Sequence, residues 1–222
     1  MFKLRKRKKI SGSILLEAMI ALIILVVIMT ASTPPILTAI ISKIQSNRIA
    51  QAQQLAQLQL ENVRALLATG VYTAFQLPPT TGSSSRSTLP STLAPDDISS
   101  CSSNPCSLAT QAALVNLNGQ NYIVQTFRTS GINGATLSAS SSSIPIAFKM
   151  GVRVYSPSAV CGTISSPSLC NTLSNTNSGV SIGLSSNMSK QKSVPLVVSY
   201  VDFVSGDLGE NTLSTYQTFA GQ

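Results

Sequence analysis

Few side chains in this sequence could do chemistry, and the first of them is a carboxylate. Glu17 stands at the edge of Ala18-Met19-Ile20-Ala21-Leu22-Ile23-Ile24-Leu25-Val26-Val27-Ile28-Met29, twelve apolar residues without interruption. A carboxylate within an apolar span costs on the order of 2.5–3.5 kcal/mol on insertion scales, so by default it is functional. The plain alternative is that Glu17 lies at headgroup depth and is solvated. Four cysteines follow much later, Cys101, Cys106, Cys161 and Cys170, and four cysteines admit three connectivities. Local pairing, 101–106 and 161–170, ranks first, one long-range bridge second and free thiols third. No CxxC spacing and no His support zinc, so no metal is expected at the thiols. Asp202, Asp207 and Glu210 gather near Gly206 and Gly209. Their spacing does not match a calcium loop of the EF-hand kind, and they read as solvated turn acids.

What is missing narrows the chemistry further. The 222 residues include no His and no Trp, and only 10% are charged, against about a quarter in an average soluble domain. Without His the commonest general base and metal ligand is absent. There is no G-x-S-x-G and no phosphate-cradling loop. Abundant Ser without a His or a well-placed Lys makes no case for a nucleophile. The expectation is a protein that is not an enzyme and carries no cofactor.

The net charge of +8 is unevenly placed. Lys3, Arg5, Lys6, Arg7, Lys8 and Lys9 hold six of the fifteen basic residues, so beyond residue 12 nine basic and seven acidic residues leave only +2. The basic character belongs to a leader, and direct nucleic-acid binding is not expected. A basic cluster ahead of an apolar run suits the cytoplasmic side of a membrane. From Ser13 to Thr33 there are 21 residues with one charge, which as a helix covers about 31 Å, enough for a bilayer core. A cleaved signal peptide ending near Thr30-Ala31-Ser32 is the competing reading.

The run Lys9-Ile10-Ser11-Gly12, then Ser13-Ile14-Leu15-Leu16-Glu17-Ala18-Met19-Ile20-Ala21-Leu22, resembles the class III leader of type IV prepilins and type II secretion pseudopilins. The resemblance implies that a prepilin peptidase of the inner membrane cuts between Gly12 and Ser13. It implies N-methylation of the new first residue and makes Glu17 the acid at mature position five. The family usually begins with Phe, and Ser13 departs from this. Cleavage frees an α-amine, a second charge in an apolar helix bundle. Pairing it with a neighbouring subunit's carboxylate offsets part of the desolvation each would suffer alone, so the pair sets register.

Further along, Pro34-Pro35 must break hydrogen bonding or kink the helix at a depth where the resembled pilins commonly carry a proline. Alternatively the pair ends the span and Pro35 begins a separate helix. Ile49, Ala52, Ala56, Leu60, Val63 and Leu67 step by three and four, with Leu55 and Leu66 widening the stripe. Asn47, Gln51, Gln54 and Glu61 fall largely opposite. Gly70 is a natural C-cap. The stretch from Ala50 to Arg64 resembles the later helix half of the minor pilin V and pseudopilin I group.

The head is expected over residues 71–222. Residues 76–110, rich in Pro, Ser and Thr, read as a long loop, with a disordered linker as the alternative. Leu114–Leu117 and Gln120–Phe127 form a hairpin across an Asn118-Gly119 type I′ turn. Ile146–Tyr155 and Leu196–Val204 are further strands. Residues 157–193 form a surface insertion, where uncharged Ser, Thr and Asn could also suit glycans. The fold expected is α+β and pilin-like. It has a basic leader over 1–12, a membrane-spanning or filament-core helix half over 13–35, an amphipathic half over 36–70, and a small antiparallel sheet packed on the helix.

What the resemblance implies is a minor pilin subunit, held in the inner membrane by one pass with its head outside the cytoplasm. It would then be added by an inner-membrane assembly platform to a pilus-like filament of other pilin or pseudopilin subunits. The rival within the class is a pseudopilin of a type II or polysaccharide secretion system. The rival from another class is an anchored or secreted adhesin or glycan-binding protein, in which Glu17 is incidental.

Overall fold

The structure, a computed structural model, describes residues 13–70, 72–98, 101, 105–133, 145–163, 166–170, 172–175, 192–204 and 217. Contacts divide the chain into two units, Met1–Ile44 and Gln45–Gln222. Helix α1 is assigned over Ser13–Thr69. Among the described residues seven strands follow: β1 (Ala113–Leu117), β2 (Gln120–Arg128), β3 (Ile132–Asn133), β4 (Pro145–Tyr155), β5 (Val160–Thr163), β6 (Ser166–Leu169) and β7 (Val197–Val204). The molecule is α+β, with an amino-terminal helix and a small antiparallel sheet.

In the first unit the side chains described over 14–30 are all exposed. Among the described residues no helix is long and apolar enough to cross a membrane. That differs from the span expected over 13–35. The unbroken stretch with described side chains is 17 residues, about 25 Å of helix, short of about 30 Å of hydrocarbon. The proline pair does not divide the element: α1 continues through Pro34 and Pro35, and no separate helix begins there. Neither proline has an amide hydrogen to donate, so two ladder bonds are lost locally. One turn earlier, Thr30 Oγ1 lies 3.0 Å from the carbonyl oxygens of Val26 and Val27, back-bonding that often bends a helix.

The second unit begins inside α1, and here the stripe finds its partner. Ala52, Leu55, Ala56, Leu60, Val63 and Leu67 are buried in one cluster with Tyr122, Val124, Phe148, Met150, Val152, Val154 and Phe203 from the sheet. The period of 3.6 on the helix therefore meets the period of two on the strands. Two amides depart from the simple pattern. Gln59 is buried on the apolar face. Gln51, expected on the solvent side, is half-buried, because its Oε1 accepts the Tyr122 hydroxyl at 2.6 Å. The helix ends at Gly70, which has φ +66° and whose N–H donates a hydrogen bond to the Leu67 carbonyl, as the cap predicts.

The sheet is antiparallel throughout. β1 pairs β2, β2 pairs the second half of β4, β3 pairs its start, and β7 takes the opposite edge of β4. The β1–β2 turn has Leu117 opposite Gln120, with φ +52° at Asn118 and +77° at Gly119, the two positive angles of a type I′ turn. β5 and β6 make a separate hairpin in the connection between β4 and β7.

The stretch expected as a loop or disordered linker over 76–110 is, where described, packed on the sheet, with Leu77 in the core beside the helix and the chain from Pro90 to Ile98 over the second face. Leu89 is buried too, short 3-10 turns form at Ala74–Gln76 and Arg86–Ser91, and bridges join Thr80 to Arg128 and Asp97 to Gln111. The insertion expected over 157–193 also returns to this face. Ala159 and Leu173 are buried with Ile98, Ala112, Ile123 and Tyr155 in a second cluster. The packing of both segments has no sequence signal, because single buried residues among many Ser, Thr and Pro leave no period to detect.

Candidate functional site

The residues singled out for processing and assembly lie at the start of α1. Gly12 and the basic leader are outside the described residues; Ser13 is the first residue of the helix. Glu17 lies four residues on, so it shares a helix face with Ser13. Its side chain is exposed among Ile14, Leu16, Met19 and Ile20, which are 48–70% exposed. A helix that is apolar all round is one buried in something. Within this chain nothing described covers it, and the carboxylate would be enclosed with its neighbours in whatever does.

The four cysteines pair locally, Cys101 with Cys106 and Cys161 with Cys170. The first bridge closes a loop in the layer over the sheet, and the second ties the β5–β6 hairpin. Of the three acids near the last strand, Asp202 lies in β7 opposite Lys149, while Asp207 and Glu210 are outside the described residues. Among the described residues no group of three His, Cys, Asp or Glu could hold a metal ion.

Sequence reasoning missed a buried cationic layer on the second face of the sheet. Arg153 of β4 is fully buried. Its Nη1 donates to the Thr92 carbonyl at 2.8 Å, its Nη2 donates to the Pro90 carbonyl at 2.8 Å, and its guanidinium carbon lies 4.8 Å from the centre of the Phe127 ring. Beside it Gln125 Nε2 donates to the carbonyls of Leu93 and Ala109, at 2.9 and 2.6 Å. Gly151 makes room for this layer, since a Cβ there would meet the Phe127 ring at 2.6 Å. On the opposite, helix-side face Arg128 is buried as well, over the Phe148 ring and donating from Nε to the Pro78 carbonyl at 2.9 Å, and burial draws its basicity below the usual arginine range. Tyr155 donates to the Ser174 carbonyl at 3.1 Å, and burial pushes its hydroxyl well above the ordinary tyrosine range.

These cations are held by main-chain carbonyls and ring faces without a carboxylate, although the buried Arg153 Nε finds no acceptor among the described residues. The pattern Lys149, Gly151, Arg153, Tyr155 on alternate positions reads as a solvent face. The only sequence signal for the layer is a glycine in mid-strand, which marks close approach.

Concave sites occur among the described residues of the head. One, of about 430 Å³, runs beside the later half of α1 and is lined by Gln59, Asn62, Leu66, Pro78 and Met150 among others. Another, of about 280 Å³, is lined by hydroxyl side chains of the layer. No known protein family, no curated protein and no solved structure matches the chain.

Proposed function

We propose that this chain is a minor subunit of a type IV pilus-like filament, made as a precursor and matured by cleavage after Gly12. The observation that carries the reading is the contrast within α1 between an amino-terminal stretch with every described side chain exposed and a later stretch whose apolar stripe is buried by the head. The first stretch needs cover from outside the chain, first a membrane and then the same stretch of neighbouring subunits. The basic leader holds the amino terminus on the cytoplasmic side before cleavage. Counted in the sequence from Ser13 to Thr33, the run has the length this reading needs.

In this reading a peptidase removes residues 1–12 and frees the α-amine of Ser13. Glu17 of a neighbouring subunit accepts that ammonium group. Out of register, both charges stand unpaired in apolar surroundings, at a cost of several kcal/mol. The head then presents surface, with its own core complete. The partners are the peptidase, other filament subunits and an inner-membrane assembly platform. The work is structural and involves no turnover.

The test is the mass and amino-terminal sequence of the mature protein taken from its native membranes. A chain beginning at Ser13, with or without one methyl group, supports the precursor pathway. A start near Ser32 or Thr33 means an ordinary signal peptide and transfers the protein to the secreted adhesins. An intact leader leaves a simple signal anchor and removes the filament reading.

A further inference from the structure

The smaller cavity of the head carries a ligand chemistry of its own, independent of how the chain is anchored. Six of the eight residues around its roughly 280 Å³ are Thr81, Ser83, Thr88, Ser91, Thr92 and Thr110, and the other two are Leu93 and Ala109. Its size lies just under the usual range of small-molecule sites, about 300–1,000 Å³, and suits one small ring rather than a chain.

The direction of the hydroxyl hydrogens decides what such a site can recognise. Thr81 Oγ1 donates to the Arg128 carbonyl at 3.3 Å, Ser91 Oγ to the Thr88 carbonyl at 2.7 Å, and Thr92 Oγ1 to the Leu89 carbonyl at 2.8 Å. Thr88 Oγ1 lies 2.8 Å from the Ser85 carbonyl and 2.6 Å from Ser83 Oγ. Four hydroxyls thus direct their protons into the protein and offer lone pairs outward. The one Thr88 proton serves the Ser85 carbonyl, so the contact to Ser83 takes the Ser83 hydrogen, and Ser83 Oγ too keeps its proton within the protein. Leu93, 67% exposed, adds an apolar wall.

Charge excludes the simpler occupants. An ammonium ligand would suit the lone pairs, but the Arg153 guanidinium beneath the site, bonded to the Thr92 and Leu93 carbonyls, repels it. An anion would suit that cation, but it would meet a rim of acceptors whose protons point away. What remains is a neutral molecule with many hydroxyl donors and a C–H face, which is a sugar. The site is also preorganised, because Arg153 and Gln125 fix the carbonyls of Thr92, Leu93 and Ala109 from the sheet below.

We propose that this cavity is a binding subsite for one neutral sugar ring. The experiment uses the full chain in dodecylphosphocholine micelles, whose headgroup carries no sugar. Saturation-transfer difference spectra are recorded with methyl galactoside, methyl glucoside and N-acetylglucosamine, and with methylammonium, inorganic phosphate and glucuronate as charged probes. At least one neutral sugar is expected to bind with a Kd on the order of 1 mM. Thr88→Val and Ser91→Ala should each weaken it about three- to tenfold, the range of one lost hydrogen bond. Asn62→Ala, in the other cavity, should leave it unchanged. Absence of transfer to every neutral sugar overturns the proposal. So does binding that both variants leave intact, or preference for a charged probe. Thermal melts of each variant show that the head is folded, and Ser91→Ala, an exposed position, serves if Thr88→Val is not.

Discussion

The two stretches of helix α1 are built from similar residues and do opposite things. Over 14–30 the side chains of Leu22, Ile24, Leu25 and Val27 are all more than half exposed. Over 52–67 Leu55, Leu60, Val63 and Leu67 are each no more than 7% exposed. The difference is in the pattern. A stripe at positions three and four apart fits one sheet face and leaves polar residues such as Gln54 and Glu61 to water. An unbroken apolar run has no water-facing side, so no single sheet can satisfy it. The later stretch is therefore a folding element, and in the proposed function the earlier one is an association element.

That contrast can be broken most forcefully from within the head. Arg153→Ala should have the largest effect, about 3–5 kcal/mol, because it leaves the carbonyls of Pro90 and Thr92 without their donor and opens a cavity beside Phe127. Chemical denaturation of the head would measure it, and a loss below about 1 kcal/mol would mean that the layer does not depend on the guanidinium. Leu60→Ala should cost about 2–5 kcal/mol by the same assay, since Leu60 lies in the main core.

The matched change in the other stretch sharpens the comparison. Ile24→Asp should leave the melting temperature of the head unchanged and weaken membrane retention by about 3 kcal/mol, read from the fraction recovered with membranes. A lowered melting temperature would show that the two stretches are not independent. Glu17→Ala should permit cleavage and spare the head, while reducing incorporation into sheared filaments; full incorporation would remove its role in register.

Smaller effects test the finish of the head. Because burial raises the Tyr155 hydroxyl, the folded state resists ionisation that the unfolded chain undergoes near pH 10. The stabilising contribution is whole below that pH and is lost as pH rises through and above it, at up to about 1.4 kcal/mol per pH unit. Tyr155→Phe should flatten the alkaline limb of a stability profile, and an unchanged limb would place the loss elsewhere. Gly119→Ala should cost about 1 kcal/mol, the smallest effect, since φ is +77° and the site is otherwise open.

Several features of this architecture could be read from residue order alone. The helix stripe, the Gly70 cap, the Asn118-Gly119 hairpin and the strands at 146–155 and 196–204 are local patterns, and each is found in the structure with its ends shifted by a residue or so. Local disulfide pairing was the first choice among three, and the structure has it. Glu17 and its spacing from Gly12 stand out because a charge beside an apolar run is a one-dimensional signal. The second face of the sheet was not legible. Arg153, Gln125 and Tyr155 alternate as solvent-facing residues do, and only the return of residues 90–112 across them makes them interior.

Nothing in the composition of that Ser- and Pro-rich segment says where it will lie, because its three anchors, Leu77, Leu89 and Ile98, are separated by more than a helical or strand period can link. The hydroxyl cavity follows from the same folding-back, since Thr81, Thr92 and Thr110 come together only over the sheet. Periodic burial is written into a sequence because one face repeats along the chain. Which carbonyl meets a guanidinium 60 residues away is decided only when the chain has closed on itself.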